Sequence, residues 1–151
     1  MSTLNFAVTG NSATQTKYEG NARHFKITVD EPHALGGNDD APNPVEYILA
    51  GYAGCLNVVI HLVAKELGIK VNSLKIEISG DIDPARLLGT SFNNRAGFLS
   101  LQVDIELDSD TDEVTQTLLF KQVKERCPVN DNLSNPTPIE YNIFATNLNL
   151  N

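Results

Sequence analysis

Apolar and polar side chains alternate over the first thirty positions, give way to a nearly continuous apolar run, and then alternate again. TLNFAVT alternates, and RHFKITVD does so more clearly, placing Phe25, Ile27 and Val29 on one face of a strand. TGNS and YEGN read as turns between strands. EPHALGGNDDAPNP is rich in Pro, Gly, Asn and Asp and reads as a loop, of a length that in compact domains is often functional.

From Val45 to Ile69 the pattern predicts one long helix. It begins just after Pro44, contains no further proline, and has Gly68 placed to cap its end. Between Ile48 and Ala64 it is apolar nearly all round, with Asn57 and His61 as the exceptions. Such a helix is buried on most faces. His61, six residues from Cys55 and off its face, reads as a core histidine. A membrane span is rejected: the charge-free stretch is short for one, and strand-like segments flank it with no second span.

Two alternating segments follow. VNSLKIEISGDID sets Leu74, Ile76 and Ile78 against Lys75, Glu77 and Ser79, and FLSLQVDIELDS repeats the pattern from Leu99 to Leu107. Together they predict a long antiparallel hairpin with one wet face, joined by PARLLGTSFNNRAG. DTDEVTQTLLFKQVKERCP predicts a second helix, with Asp110 and Glu113 as a capping box and a stripe of Val114, Leu118, Leu119, Val123 and Cys127. Pro128 stops it, VNDNLSNPTP has room for one helical turn, and IEYNIFATNL reads as a final strand.

Strands, a long helix, two strands, a helix and a strand make an α+β pattern within a single domain, residues 1–151. A chain of this length buries about two-thirds of its unfolded surface, yet offers only one sheet to cover one side of the central helix. The uncovered side predicts an obligate homodimer. The net charge of −8, with no run of Lys and Arg, argues against nucleic acid and anionic membranes as partners. The N-terminus lacks the basic start and apolar run of a secretory signal, so a cytoplasmic protein is expected.

The chemistry centres on AGYAGCLNVV. Cys55 stands among Gly51, Ala53 and Gly54, and a glycine inside a helix costs about 1 kcal/mol against alanine. Close approach of another helix, or of a ligand, would explain that cost, and the spacing alone leaves the two open. Two cysteines in a reducing compartment are more often free, catalytic or redox-active than structural. No Cys or His pair has metal-ligand spacing, so no metal is expected.

In combination the motifs are specific. Pro44-x-Glu46, the small-residue run ending in Gly54-Cys55, Gly68-Ile69-x-Val71 and Cys127-Pro128-Val129 resemble the OsmC/Ohr family, the osmotically inducible and organic hydroperoxide resistance proteins. The wording lies nearer the broad OsmC-like branch. The resemblance implies antiparallel sheets wrapped around long central helices in an intertwined homodimer, and a thiol peroxidase that needs no cofactor. Cys55 would attack the hydroperoxide and Cys127 would resolve the sulfenic acid to a disulfide, which an external dithiol of the lipoyl type would reduce. The family's site glutamate and arginine fall on Glu46 and Arg23, the latter being the only arginine before Cys55.

That assignment has a physical rationale. The thiolate is the nucleophile, and burial raises a thiol's pKa, so a guanidinium held by a carboxylate would favour ionisation. Glu46 and Cys55, nine residues apart, would lie on opposite faces of one helix. Either the helix begins after Glu46, or Glu46 serves a partner's site; a carboxylate near the helix N-terminus is also favoured by the dipole. Cys127, at a helix C-terminus, would be held as a thiol. The alternative to an enzyme is an OsmC-like protein that binds a lipid or aromatic molecule with little or no turnover.

Overall fold

The computed structural model describes residues 2–144. It contains two small antiparallel sheets and three α-helices, in the order β1 (Thr9–Ser12), β2 (Tyr18–Ala22), β3 (Phe25–Val29), α1 (Pro44–Glu66), β4 (Val71–Asp81), β5 (Ser100–Ser109), α2 (Glu113–Arg126) and α3 (Pro128–Ser134), with a short 3-10 turn at His33–Leu35. The α+β class read from the sequence is the observed one.

Both ends of α1 are set by local chemistry. Asn43 Oδ1 accepts from Glu46 N at 2.9 Å and Glu46 Oε2 accepts from Asn43 N at 2.8 Å, a reciprocal capping box with Pro44 in the first turn. At the other end Gly68 takes φ 71°, its N–H reaches Lys65 O at 3.3 Å, and Ile69 N reaches Ala64 O at 2.8 Å. These two bonds form a Schellman motif, which needs the left-handed conformation glycine adopts freely.

Strands β4 and β5 form the expected antiparallel hairpin, with Ile76 opposite Ile105 and Ile78 opposite Val103. Their apolar face packs on α1 and their other face carries Lys75 between Glu77 and Glu106. The core gathers Tyr52, Leu56, Val59, Ile60, Val63 and Ala64 of α1 with Leu119 and Val123 of α2. At about 25 cal/mol per Å2 of apolar area removed from water, this face dominates the stability of the helical half.

The opposite face of α1 is uncovered among the described residues. The helix is long and apolar enough to cross a bilayer by length and composition, yet only 33% of its most apolar window is buried. Gly51, Gly54, Val58, His61 and Leu62 lie along that open side, and a Cβ built on either glycine would meet nothing within 4 Å. His61 is therefore exposed rather than a core residue; its Nδ1–H donates to Asn57 O at 2.8 Å, one turn back.

Other expectations also shift. Residues 2–8, which include most of TLNFAVT, form no strand, whereas TGNS is β1 and YEGN lies in β2. Their glycines are strand positions where the chains approach closely: a Cβ on Gly10 would come 2.2 Å from Glu19 O. The cap of α2 is Asp112, accepting from Thr115 N at 2.8 Å, while Asp110 accepts from Lys70 N at 2.8 Å and ties the sheet end. In its stripe Leu119, Val123 and Cys127 are buried, but Val114 and Leu118 are exposed. The turn expected after Pro128 is a seven-residue helix, α3. Ile139–Phe144 pairs with no strand among the described residues and its apolar side chains are exposed; the rest of the expected strand, from position 145, lies outside them.

The β1–β2–β3 sheet makes no extensive packing with α1, α2 or the hairpin. Its direct tie to α1 is the Tyr47 hydroxyl, which donates to Thr28 O at 2.7 Å. The loop joining them is organised by Asp30, which is fully buried. Asp30 Oδ2 accepts from Asn38 N at 3.1 Å and Asp40 N at 3.3 Å, and Asp30 N donates to Pro42 O at 3.4 Å.

Candidate active site

The two cysteines meet inside one chain. Cys127 Sγ donates to Cys55 Sγ at 2.8 Å, and both are free thiols. Cys55 comes from the middle of α1, one turn beyond Tyr52, and is partly exposed; Cys127 is buried. A fork-to-fork ion pair steadies the chain just before Cys127: Arg126 Nη2 meets Glu66 Oε1 at 2.9 Å, and Nη1 meets Oε2 at 2.5 Å. It lowers the Glu66 carboxyl and raises the Arg126 guanidinium through the hydrogen bonds they share.

Cys127 occupies two caps at once. It ends α2 and is the N-cap of α3, its sulfur accepting from Asn130 N at 3.4 Å. The sequence placed it only at a helix C-terminus, because the break at Pro128 conceals that the same proline starts the next helix. Burial pushes the Cys127 thiol above its ordinary pKa, and its bond to Cys55 adds to this; the Asn130 and Val129 N–H groups pull the other way without prevailing. Cys127 thus remains a donor, with its proton directed at the Cys55 sulfur.

Tyr52 and Asn130 border the pair; the sequence offered Tyr52, with Leu56, only as lining for an apolar pocket around Cys55, and did not single out Asn130. Tyr52 OH donates to Asn130 Oδ1 at 2.7 Å, and Asn130 Nδ2 donates to Lys124 O at 3.1 Å. Burial raises the Tyr52 phenol, with negative charge on Cys127 and Cys55 adding to the effect, so it stays a donor. The position of Tyr52 three before Cys55, on the buried face, was the available signal; that of Asn130 was the N-cap spacing of three from Cys127.

Glu46 and Arg23 are not brought to the sulfurs within the described chain. The helix already includes Glu46, so it faces away from Cys55, and its carboxylate closes the capping box. Arg23 lies in the tight turn between β2 and β3 with φ 57°. Its guanidinium carbon sits 5.0 Å from the centre of the Phe25 ring. Among the described residues no cluster of His, Cys, Asp or Glu is arranged to hold a metal ion.

Comparison with known proteins places this geometry. A family model described as OsmC-like protein matches residues 37–142. No curated protein matches the sequence. Among solved structures, an OsmC-like protein from Mycoplasma pneumoniae superposes with a TM-score of 0.75 at 19% identity, over 88% of this chain and 89% of that one. An organic hydroperoxide resistance protein from Elizabethkingia anophelis, with thiocyanate bound, gives 0.65 at 22% identity, over 90% and 93%. The organic hydroperoxide resistance protein OsmC of Legionella pneumophila gives 0.59 at 16%, over 88% and 91%.

Proposed function

Since the chain belongs to the OsmC-like protein family, we propose that it is a thiol-dependent hydroperoxide reductase in which Cys55 attacks and Cys127 resolves. The observation that carries this reading is the contact of a partly exposed sulfur with a buried one at 2.8 Å. Exposure gives a peroxide access to Cys55. The Cys127 S–H stabilises negative charge on it.

The steps balance. The Cys55 thiolate attacks one peroxide oxygen, the O–O bond breaks, and the leaving alkoxide takes a proton to become the alcohol. Cys55 is then a sulfenic acid. The Cys127 sulfur attacks the Cys55 sulfur, the S–S bond forms, and hydroxide departs with the Cys127 proton as water. An external dithiol, for which a lipoyl group is the proposed source, reduces the disulfide and is itself oxidised.

The working form is proposed to be a homodimer. The open face of α1 carries Gly51 and Gly54 with nothing among the described residues against them, as expected where a second helix approaches closely. In that assembly Arg23 and Glu46 of the second copy are proposed to complete the site, the carboxylate orienting the guanidinium beside Cys55.

Hydroperoxide consumption with a dithiol present tests the proposal. Wild-type protein should turn over and Cys55→Ser should not. Absence of turnover by folded wild-type protein would move the reading to a binding protein.

A further inference from the structure

Beside Tyr52 and Asn130 opens a cleft of about 390 Å3, between α1, the start of β5 and α3. Its wall is mainly apolar, with Leu99, Leu101 and Leu133 prominent, and Arg95 is the one charged side chain among its described lining residues. The cleft borders the thiol pair, since Asn130 N touches Cys127 Sγ and Tyr52 is one turn before Cys55.

Arg95 arrives there on the loop between β4 and β5, which satisfies its other charges internally. Arg86 Nε donates to Asn94 O at 2.7 Å and its Nη2 to Phe92 O, with the Phe92 ring centre 5.3 Å from the guanidinium carbon. Asp83 accepts from Ala85 N at 2.9 Å and from Asn94 Nδ2 at 2.7 Å. Arg95 is left without a carboxylate partner among the described residues. Its guanidinium lies beside Gly97, where an added Cβ would stand 3.4 Å from Nη2.

A chain of net charge −8 repels anions at a distance, so an open guanidinium on an apolar wall is a local reversal of that field. It matches a carboxylate, which arginine binds through two parallel N–H donors. A neutral apolar ligand would use the leucines and leave Arg95 to water. We infer that the cleft takes an organic anion of aryl-alkyl size, its carboxylate on Arg95 and its apolar body along the leucines toward Tyr52. This rests on the peroxidase reading, under which the occupant is a hydroperoxide bearing a carboxylate, and it makes Arg95 a specificity residue.

Cumene hydroperoxide and its para-carboxylate derivative isolate the carboxylate. Wild-type protein should favour the acid in kcat/KM by about tenfold, mainly through KM, the lower end for a charged hydrogen bond because Arg95 is exposed. Arg95→Gln should bring the ratio near one, Arg95→Lys should retain part of it, and added salt should diminish it. Equal kcat/KM for the two peroxides in the wild type, or an equal loss on both in Arg95→Gln, would overturn the inference. Calorimetric binding to Cys55→Ser separates the two readings without turnover. There 4-isopropylbenzoate should bind more tightly than 4-isopropylbenzyl alcohol, and Arg95→Gln should remove the difference. That preference without peroxide consumption would sink the peroxidase reading alone, and its absence would sink the anion site alone.

Discussion

Tyr52 and Asn130, 78 residues apart, share a 2.7 Å hydrogen bond in which the phenol donates to the amide oxygen. The same asparagine gives its backbone N–H to Cys127 Sγ, so one residue couples α1, α3 and the buried thiol. Tyr52→Phe keeps the ring in the core and deletes the bond. The expected cost is about 0.5–1.5 kcal/mol, seen as a lower midpoint in urea. Disulfide closure after a single pulse of peroxide should also slow, because α3 loses its hold on α1. A variant that loses stability but closes at the wild-type rate would confine Tyr52 to packing.

The contact of the sulfurs within one chain makes a definite statement about which disulfide forms. Equimolar hydroperoxide should yield a Cys55–Cys127 bridge inside each chain, so non-reducing electrophoresis should show monomer while peptide mapping shows the crosslink. Cys127→Ser should stop after one reduction, with Cys55 gaining one oxygen and then, under excess peroxide, a second. Intermolecular bridges in the wild type would contradict the arrangement.

The open face of α1 permits a test by sign. In an isolated chain Gly51→Ala should stabilise the helix by about 1 kcal/mol, since the new Cβ meets nothing within 4 Å. Where a second α1 packs against that face, the same methyl group should weaken association and lower the thermal midpoint. Sedimentation and a concentration series of thermal midpoints distinguish the two outcomes. Stabilisation with no change in mass would remove the argument for a helix-paired dimer.

The sequence made the helical half legible because burial there imposes a period. The β4–β5 faces and the Gly68 cap follow from alternation and spacing, whereas the pairing of Cys55 with Cys127, 72 positions apart, came from the family resemblance. The N-terminal sheet was misplaced because its strands are built from Gly, Asn, Ser and Glu, which read as turns, while the apolar alternation before them has no partner strand among the described residues. Asn43-x-x-Glu46 carried a capping signal that the Pro-x-Glu motif obscured. His61 and Glu46 depend on which face of α1 is covered, and a helix apolar all round does not encode that. Arg95 sits in a loop with no period at all, and only the cleft reveals its setting.

Asp30 supplies a prediction about pH. Burial pushes its carboxyl upward, but the N–H groups of Glu31, Asp40 and Asn38 and the Thr16 hydroxyl together outweigh this and hold it below the ordinary value. A carboxyl whose folded pKa lies below its unfolded one binds fewer protons in the folded state through that interval, so stability rises with pH there. Its contribution should be fully present above the unfolded value of about 4 and be lost as pH falls through the lower folded value. Asp30→Asn replaces two acceptor oxygens with one and removes the charge that the loop's N–H groups surround. Its thermal midpoint should fall below wild type at pH 7, and the gap should narrow as pH falls through the lowered folded value and the wild-type carboxyl takes up its proton. The destabilisation should centre on residues 31–43, with faster amide exchange at Asn38 and Asp40, whose N–H groups lose their acceptor. Because this loop delivers Asn43 to the cap of α1, weakening should spread to the first turn around Glu46. Parallel curves for the two proteins over that same fall in pH would show that the charge on Asp30 is not what holds the loop.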